Sequence, residues 1–295
     1  MFDYNKRLNR ALEFFDECTH ILILGGPGLG YEVGLFTYGA DMDPDLHPYM
    51  AKYLLFNIEN GFQILPDPAL PAFYAKYRKV FYDNIPDSKV HADLFDLVRR
   101  KHYFVMQCNP DRTFEKAKFP PENIFYMAGD AHLLQCANAC CAKVFEMPSA
   151  EELLSGTPLP VCPECGGKTR INLDTFPDKN FVPSPTFTEQ IQKHHSFVRR
   201  ARKRKLLILE LGCSIRNHFG LCAMQISEYL ARRFPGVRII RINRHEALSF
   251  ERTSEQTVLF DEPIARVVAD MLSARPAPKR GRPKAPTPPV RPRQR

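Results

Sequence analysis

The run Ile21-Leu-Ile-Leu24 passes without a polar interruption into Gly25-Gly-Pro-Gly-Leu-Gly30. A short apolar run that lacks the polar alternation of a half-exposed strand reads as a strand covered on both faces, the usual setting of a parallel sheet layered by helices. Comparable runs recur at residues 103–106, 124–127, 206–211, 237–242 and 257–260. Between and around them lie amphipathic stretches with helical spacing. Residues 5–18 carry Leu8, Leu12 and Phe15 on one face, and residues 219–234 and 262–272 are similar. Residues 45–100 read as mostly helical, with aromatic-rich pieces such as Pro71-Ala-Phe-Tyr-Ala-Lys-Tyr. The expected fold is α/β, a Rossmann-like doubly wound parallel sheet of about six strands. Such sheets bind ligands beyond the carboxyl ends of their strands, so the residues that follow each run are the candidates for chemistry.

The first of these loops, with Gly26, Gly28 and Gly30 in G-x-G-x-G spacing, is suited to close approach of the backbone to a pyrophosphate. Gly-rich turns are common, and the position after the first strand is what gives this one weight. Two tight cysteine pairs carry a second signal. Cys136-x-x-x-Cys140 and Cys162-x-x-Cys165 are separated by 21 residues, and the second pair runs into a Gly-Gly turn. Four thiolates in two knuckles suit tetrahedral Zn²⁺ and leave no open position, which predicts a structural zinc-ribbon module over about residues 130–180. Cys141 adjoins Cys140 and is an alternative ligand. Cys18, Cys108, Cys213 and Cys222 read as core or loop thiols. No apolar run long enough to span a membrane is present, and residues 1–10 lack the apolar core of an export signal. An intracellular location with reduced thiols is expected.

The formal net charge of +8 is confined to one place. Residues 275–295 hold eight Lys and Arg and no acidic residue, which leaves residues 1–274 neutral. Seven prolines fall between Pro276 and Pro292, a composition expected to remain disordered. Within it, Lys279-Arg-Gly-Arg-Pro-Lys284 matches the core of an AT-hook, in which Arg280, Gly281, Arg282 and Pro283 could lie in a narrow A·T minor groove. A solvated basic tail is the competing reading, and the location would be nucleus or nucleoid if the tail meets DNA and cytoplasm otherwise. The cluster Arg202-Lys-Arg-Lys205 reads as a solvated helix C-terminus.

The order of these parts resembles a sirtuin: a glycine loop after the first strand, a strand ending in Asn109-Pro-Asp111, then Gly129-Asp130. The two cysteine knuckles follow, then Glu210-Leu-Gly-Cys-Ser214 and Ile242-Asn243. Asn109-Pro-Asp-Arg-Thr-Phe-Glu-Lys-Ala117 and Glu210-Leu-Gly212 are similar to the macrodomain-associated (class M) microbial sirtuins. The resemblance covers roughly residues 5–272, so residues 1–272 are expected to form the NAD-binding domain and 273–295 the tail. It implies that Gly26, Gly28 and Gly30 line the NAD diphosphate, that Asn109 and Asp111 hold the nicotinamide and its ribose as catalytic residues, and that Gly212, Ser214 and Asn243 contact the adenosine half. It also implies structural zinc on Cys136, Cys140, Cys162 and Cys165. The reaction implied is cleavage of the nicotinamide–ribose bond with transfer to an acceptor protein, as mono-ADP-ribosylation. Deacylating sirtuins carry His before the Gly at position 129, and the class M enzymes carry Gln, but here the residue is Ala128. Cys108 stands where a Gln usually precedes the Asn, and Pro27 and Gly30 replace the usual Ala and Ser of the glycine loop. Asp130 and His132 lie close by as substitutes for the missing group, although a turn cap and an ordinary histidine are the plainer readings. These departures argue against a standard lysine deacylase and open the alternative of a catalytically degenerate NAD or ADP-ribose sensor tethered to DNA.

Overall fold

The computed structural model describes residues 3–36, 44–55, 57–174, 179–248 and 250–274. Arg280, Gly281, Arg282 and Pro283 of the AT-hook-like motif lie outside the described residues. The chain opens with helix α1 (Tyr4–Glu17), strand β1 (His20–Gly25) and a single helical turn, α2 (Pro27–Tyr31). Short helices α3 (His47–Tyr53), α4 (Gly61–Ile64) and α5 (Leu70–Arg78) follow, then α6 (Lys89–Val98), β2 (His102–Gln107), α7 (Thr113–Lys116) and β3 (Ile124–Tyr126). Next come β4 (Gly129–Cys136), β5 (Val144–Glu146), α8 (Ala150–Leu154) and β6 (Thr169–Leu173). The chain then returns through α9 (Pro185–Ala201), β7 (Leu206–Leu211), α10 (His218–Arg233), β8 (Arg238–Ile242), β9 (Thr257–Phe260) and α11 (Ile264–Ser273).

Six strands form one sheet in the order β3-β2-β1-β7-β8-β9, and every pairing in it is parallel. The predominantly apolar strands explain why. Successive side chains of a strand point to opposite faces. In β1, Ile21 and Ile23 pack among α1, α6 and α11, while Leu22 and Leu24 pack among α9 and α10. All four are fully buried, at roughly 1.5–3 kcal/mol each for removal from water. The strand order reverses direction at β1, because β2 and β3 extend to one side and β7, β8 and β9 to the other. That reversal leaves a crevice beyond the carboxyl ends of β1 and β7.

A second, antiparallel sheet has the order β5-β4-β6. It is not an isolated metal ribbon. Ala131, Leu134, Ile171 and Leu173 from its strands share one core with Leu46, Ile58, Phe73, Tyr74 and Tyr77 from the α3–α5 region and with Ala150 and Leu153 of α8. The aromatic-rich helices between β1 and β2 therefore fold onto the small sheet.

The same core shows why those helices hold together. Phe62 packs edge-on against Phe73 and Tyr77 at centroid separations of 5.3 and 4.8 Å. Such edge-to-face pairs add about 0.5–1.5 kcal/mol to their burial. On the large sheet, Glu210 of β7 is fully buried and pairs with Arg241 of β8 at 2.5 and 3.0 Å, while Arg241 also reaches Glu228 of α10 at 2.8 Å and the Leu248 carbonyl at 2.6 Å. Glu210 thus locks two strands and a helix just beneath the crevice.

Candidate functional site

The glycine turn after β1 lies directly on the turn after β7. The Gly26 N–H donates to Leu211 O (2.8 Å) and the Gly28 N–H to Gly212 O (3.0 Å). Gly212 has φ of +68°, and a Cβ there would stand 2.5 Å from the Leu29 nitrogen and 2.6 Å from Gly28. A Cβ on Gly26 would stand 2.4 Å from Gly212 O. Two backbones touch here, and only glycine lets them. Because the Gly26 and Gly28 amides are already engaged, the turn supplies space at the crevice more than free donors.

A cavity opens on each side of this contact. The first, of about 390 Å³, is lined from the large sheet by Pro27, Cys108, Asn109, Ala128 and Phe219, and from the small unit by Asn57, Glu59, Tyr77, Leu173 and Asp174. The second, of about 490 Å³, is lined by Gly28, Tyr31, Phe36, Gly212, Asn243, Arg244 and His245 among others. Of the sequence candidates, Asn109 therefore faces the first cavity and Gly28, Gly212 and Asn243 the second. Gly26, Gly30, Asp111 and Ser214 line neither. Asn109 donates to Gly26 O at 3.3 Å and lies against Gly30, where an added Cβ would be 3.0 Å from its Nδ2. Asn243 donates to Cys213 O (2.6 Å) and accepts from the His245 and Glu246 amides (3.0 and 3.1 Å), fixing the loop after β8. Ser214 donates to Glu246 at 2.5 Å and accepts from the Arg216 amide, so its hydroxyl serves the loop itself.

Asp111 stands one layer behind the cavity. It is 1% exposed, receives hydrogen bonds from Thr113 N (3.1 Å), the Thr113 hydroxyl and Gln107 Nε2 (3.2 Å), and continues through Thr113 to His91. Burial pushes its carboxyl up, against the pull of the Thr113 hydrogen bonds, and burial holds His91 down at about 3. This network braces the loop that presents Asn109. Asp130 and His132 are likewise committed. Asp130 pairs with Arg112 and lies 2.5 Å from His132 Nδ1, and the His132 ring stacks on Tyr82. Burial alone would raise the Asp130 carboxyl, but the His132 hydrogen bond and the Arg112 charge hold it below its ordinary value. Neither residue lines the cavity that contains Ala128, which is 7% exposed.

Glu59 and Tyr77 are among the cavity residues that sequence reasoning missed. Glu59 sits in the turn Ile58–Asn60, whose ends are tied by reciprocal bonds between Asn57 and Asn60 (3.1 and 3.0 Å). The Asn-x-x-Asn spacing was the available signal for that turn, but nothing local connects it to β2 or β6. Burial pushes the Glu59 carboxyl up, and it pushes the Tyr77 hydroxyl well above its ordinary range, with the Glu59 charge adding to the effect.

The four predicted cysteines converge. Cys136, Cys140, Cys162 and Cys165 place their sulfurs within 4.8 Å of one another, with 3.8 Å between Cys136 and Cys165 and 3.6 Å between Cys140 and Cys162. Zinc–thiolate bonds of about 2.3 Å in a tetrahedron put sulfurs about 3.8 Å apart, so this cluster has the geometry to bind zinc. The cluster includes Cys140 and not the adjacent Cys141. Zinc there would tie the β4 end to the knuckle before β6 as a structural crosslink.

No protein-family model matches this chain. A protein ADP-ribosyltransferase of Staphylococcus aureus (strain Mu50 / ATCC 700699) is 24% identical over 209 residues, which cover 67% of this chain and 66% of that protein. Among solved structures, two mutants of a Sir2 homologue in complex with ADP-ribose superpose with TM-scores of 0.61 and 0.62 at 21% and 20% identity, covering 90% of this chain and 94% of theirs. A Sir2 bound to acetylated peptide matches with a TM-score of 0.58 at 14% identity, over 90% of this chain and 97% of that one. The chain has the Sir2 fold.

Proposed function

We propose that this protein is an NAD-dependent transferase of the sirtuin type, acting as a protein mono-ADP-ribosyltransferase of the class M kind. The observation that carries this reading is the glycine-on-glycine contact at the strand-order reversal, flanked by two cavities that share its walls. In this reading the dinucleotide crosses the Gly26–Gly28 turn. Its nicotinamide half enters the cavity of Asn109 and Ala128, and its adenosine half the cavity of Gly212 and Asn243. Asn109 orients the nicotinamide ribose, Asp111 holds the Asn109 loop from behind, and Ser214 holds the loop around Glu246. Enclosing the ribose between the large sheet and the helices on the small unit excludes water from the bond that breaks and positions an acceptor, a large part of what such a reaction needs. The S. aureus relative supports the transferase over a deacylase, as does Ala128, which offers no proton-accepting group where deacylases carry His. The small zinc module (about residues 130–180) is inserted in the NAD-binding domain of residues 1–272. The tail of residues 273–295 would tether the protein to A·T-rich DNA, in a nucleus or nucleoid.

The test is incubation of the zinc-replete protein with NAD labelled on the adenylate, following nicotinamide release and label on protein together. Release with labelled protein, lost in Asn109→Ala, supports the transferase. Binding without release favours the second reading, which Ala128 also favours: a nucleotide sensor held on DNA by its tail.

A further inference from the structure

Ala128 removes the side chain that would take a proton in the nicotinamide-half cavity, and a methyl group has no acid–base function. Asp130 and His132, its nearest sequence substitutes, are spent on Arg112 and Tyr82 outside that cavity. The opposite wall, from the small unit, carries two groups the fold does not use. Glu59 lines the cavity without a hydrogen-bond or ion-pair partner among the described residues. The Tyr77 hydroxyl, also on that wall, is buried and unpartnered.

Their placement is rigid. The Asn57–Asn60 reciprocal bonds fix the turn that bears Glu59. Gly61 follows, and its Cβ position is filled by the Phe73 ring, 2.5 Å away. Phe62 then packs against Phe73 and Tyr77, so the same aromatic cluster seats both Glu59 and Tyr77. A partly enclosed carboxylate with no counter-ion is costly to keep, and such groups concentrate where chemistry is done.

Resting on the transferase reading, we propose that Glu59 is the general base of the reaction, acting from the wall opposite Ala128 on an acceptor with a protic nucleophile, a hydroxyl or a guanidinium. In that step the bond from ribose C1′ to the nicotinamide nitrogen breaks, and its electron pair leaves with nicotinamide. The acceptor oxygen or nitrogen bonds to C1′, and the acceptor proton passes to a Glu59 carboxylate oxygen. The negative charge also stabilises the positive charge that develops on the ribose. An acidic acceptor side chain has no proton to give and would be repelled by Glu59. The Tyr77 hydroxyl, unpartnered on the same wall, is available to donate to that carboxylate when substrate is bound. The other charged or titratable groups facing Glu59 across the cavity are Cys108 after β2, Asp174 after β6, Arg216 before α10 and His218 at its first position.

The test uses the full zinc-loaded chain, with NAD binding measured by calorimetry and turnover by nicotinamide release across pH. Glu59→Gln is expected to lower kcat on the order of 10²-fold, keep the NAD Kd within about threefold, and lose the acidic limb of the pH–rate profile. Tyr77→Phe should shift that limb and lower kcat less. If Glu59→Gln does not fold, Glu59→Asp keeps the charge but withdraws it by one methylene, and a fall in kcat at unchanged Kd supports the base equally. Unchanged kcat and pH profile in Glu59→Gln overturn the base while leaving the transferase reading intact. A wild-type protein that binds NAD without turnover overturns both in favour of a sensor, and one that does not bind NAD overturns the nucleotide site itself.

Discussion

Replacing Gly212 with alanine should damage both the fold and the site. Two costs combine. The first is conformational: φ of +68° is left-handed, and an L-residue with a Cβ pays about 1–2 kcal/mol there. The second is steric. The added Cβ would be 2.5 Å from the Leu29 nitrogen and 2.6 Å from Gly28, so the two turns must part. Overpacking of this kind costs about 1–3 kcal/mol more. The sum of about 2–5 kcal/mol corresponds to a loss of about 4–10 °C in Tm for a chain of this size. The displaced residues are those between the two cavities, so NAD affinity should fall at least about tenfold. Gly166→Ala isolates the first cost, because Gly166 has the same φ of +68° and nothing lies within 4 Å of its Cβ position. That variant should lose only about 2–4 °C and bind NAD normally. Thermal unfolding and calorimetric titration with NAD, run on both variants, decide the matter. Equal Tm losses and an unchanged NAD Kd in Gly212→Ala would refute the inference that the glycine contact shapes the site.

Other consequences are as direct. Arg241→Met strips the shared counter-ion from Glu210 and Glu228, both buried, and should cost about 3–5 kcal/mol in denaturant unfolding, whereas a cost below about 1 kcal/mol would show the triad to be replaceable. Cys140→Ser should release zinc and lower Tm, while Cys141→Ser should keep one zinc per chain; the opposite pattern would reassign the ligand. Burial holds His194 down at about 4, below its unfolded value near 6.5, so the unfolded state takes up its proton first. The stability this histidine preserves as a neutral group is complete above about pH 6.5 and is lost as pH falls toward 4, by about 2–3 kcal/mol at pH 4.5. His194→Phe should flatten the wild-type decline in unfolding free energy over that range, and an unchanged slope would contradict it.

The sheet was legible because its strands are buried on both faces. Runs such as 20–24 and 206–211 have no polar alternation, and the structure places strands within one or two residues of each expected run. The cysteine cluster was legible for a related reason: four thiols at knuckle spacing are rarely four independent core residues. The site was legible only where it follows strand ends. Asn109, Gly212 and Asn243 lie at those ends and line the cavities, but chain position could not show that Asp111 and Ser214 turn inward to brace loops. The cavity's other wall was invisible for a physical reason. Glu59 and Tyr77 reach it through packing of α4 and α5 on a sheet formed more than fifty residues later, a long-range contact that helical periodicity does not encode. Helix content over residues 45–100 was correct, but its destination depended on aromatic contacts such as Phe62 with Phe73 and Tyr77.

The most direct measurement is a single incubation of the purified, zinc-loaded chain with adenylate-labelled NAD, wild type beside Asn109→Ala, with free nicotinamide and protein-bound label read at each time point. Nicotinamide release matched by label on protein, both abolished in Asn109→Ala, is the predicted result. Absence of both NAD binding and release from the wild type would contradict the assignment of the two cavities to the dinucleotide.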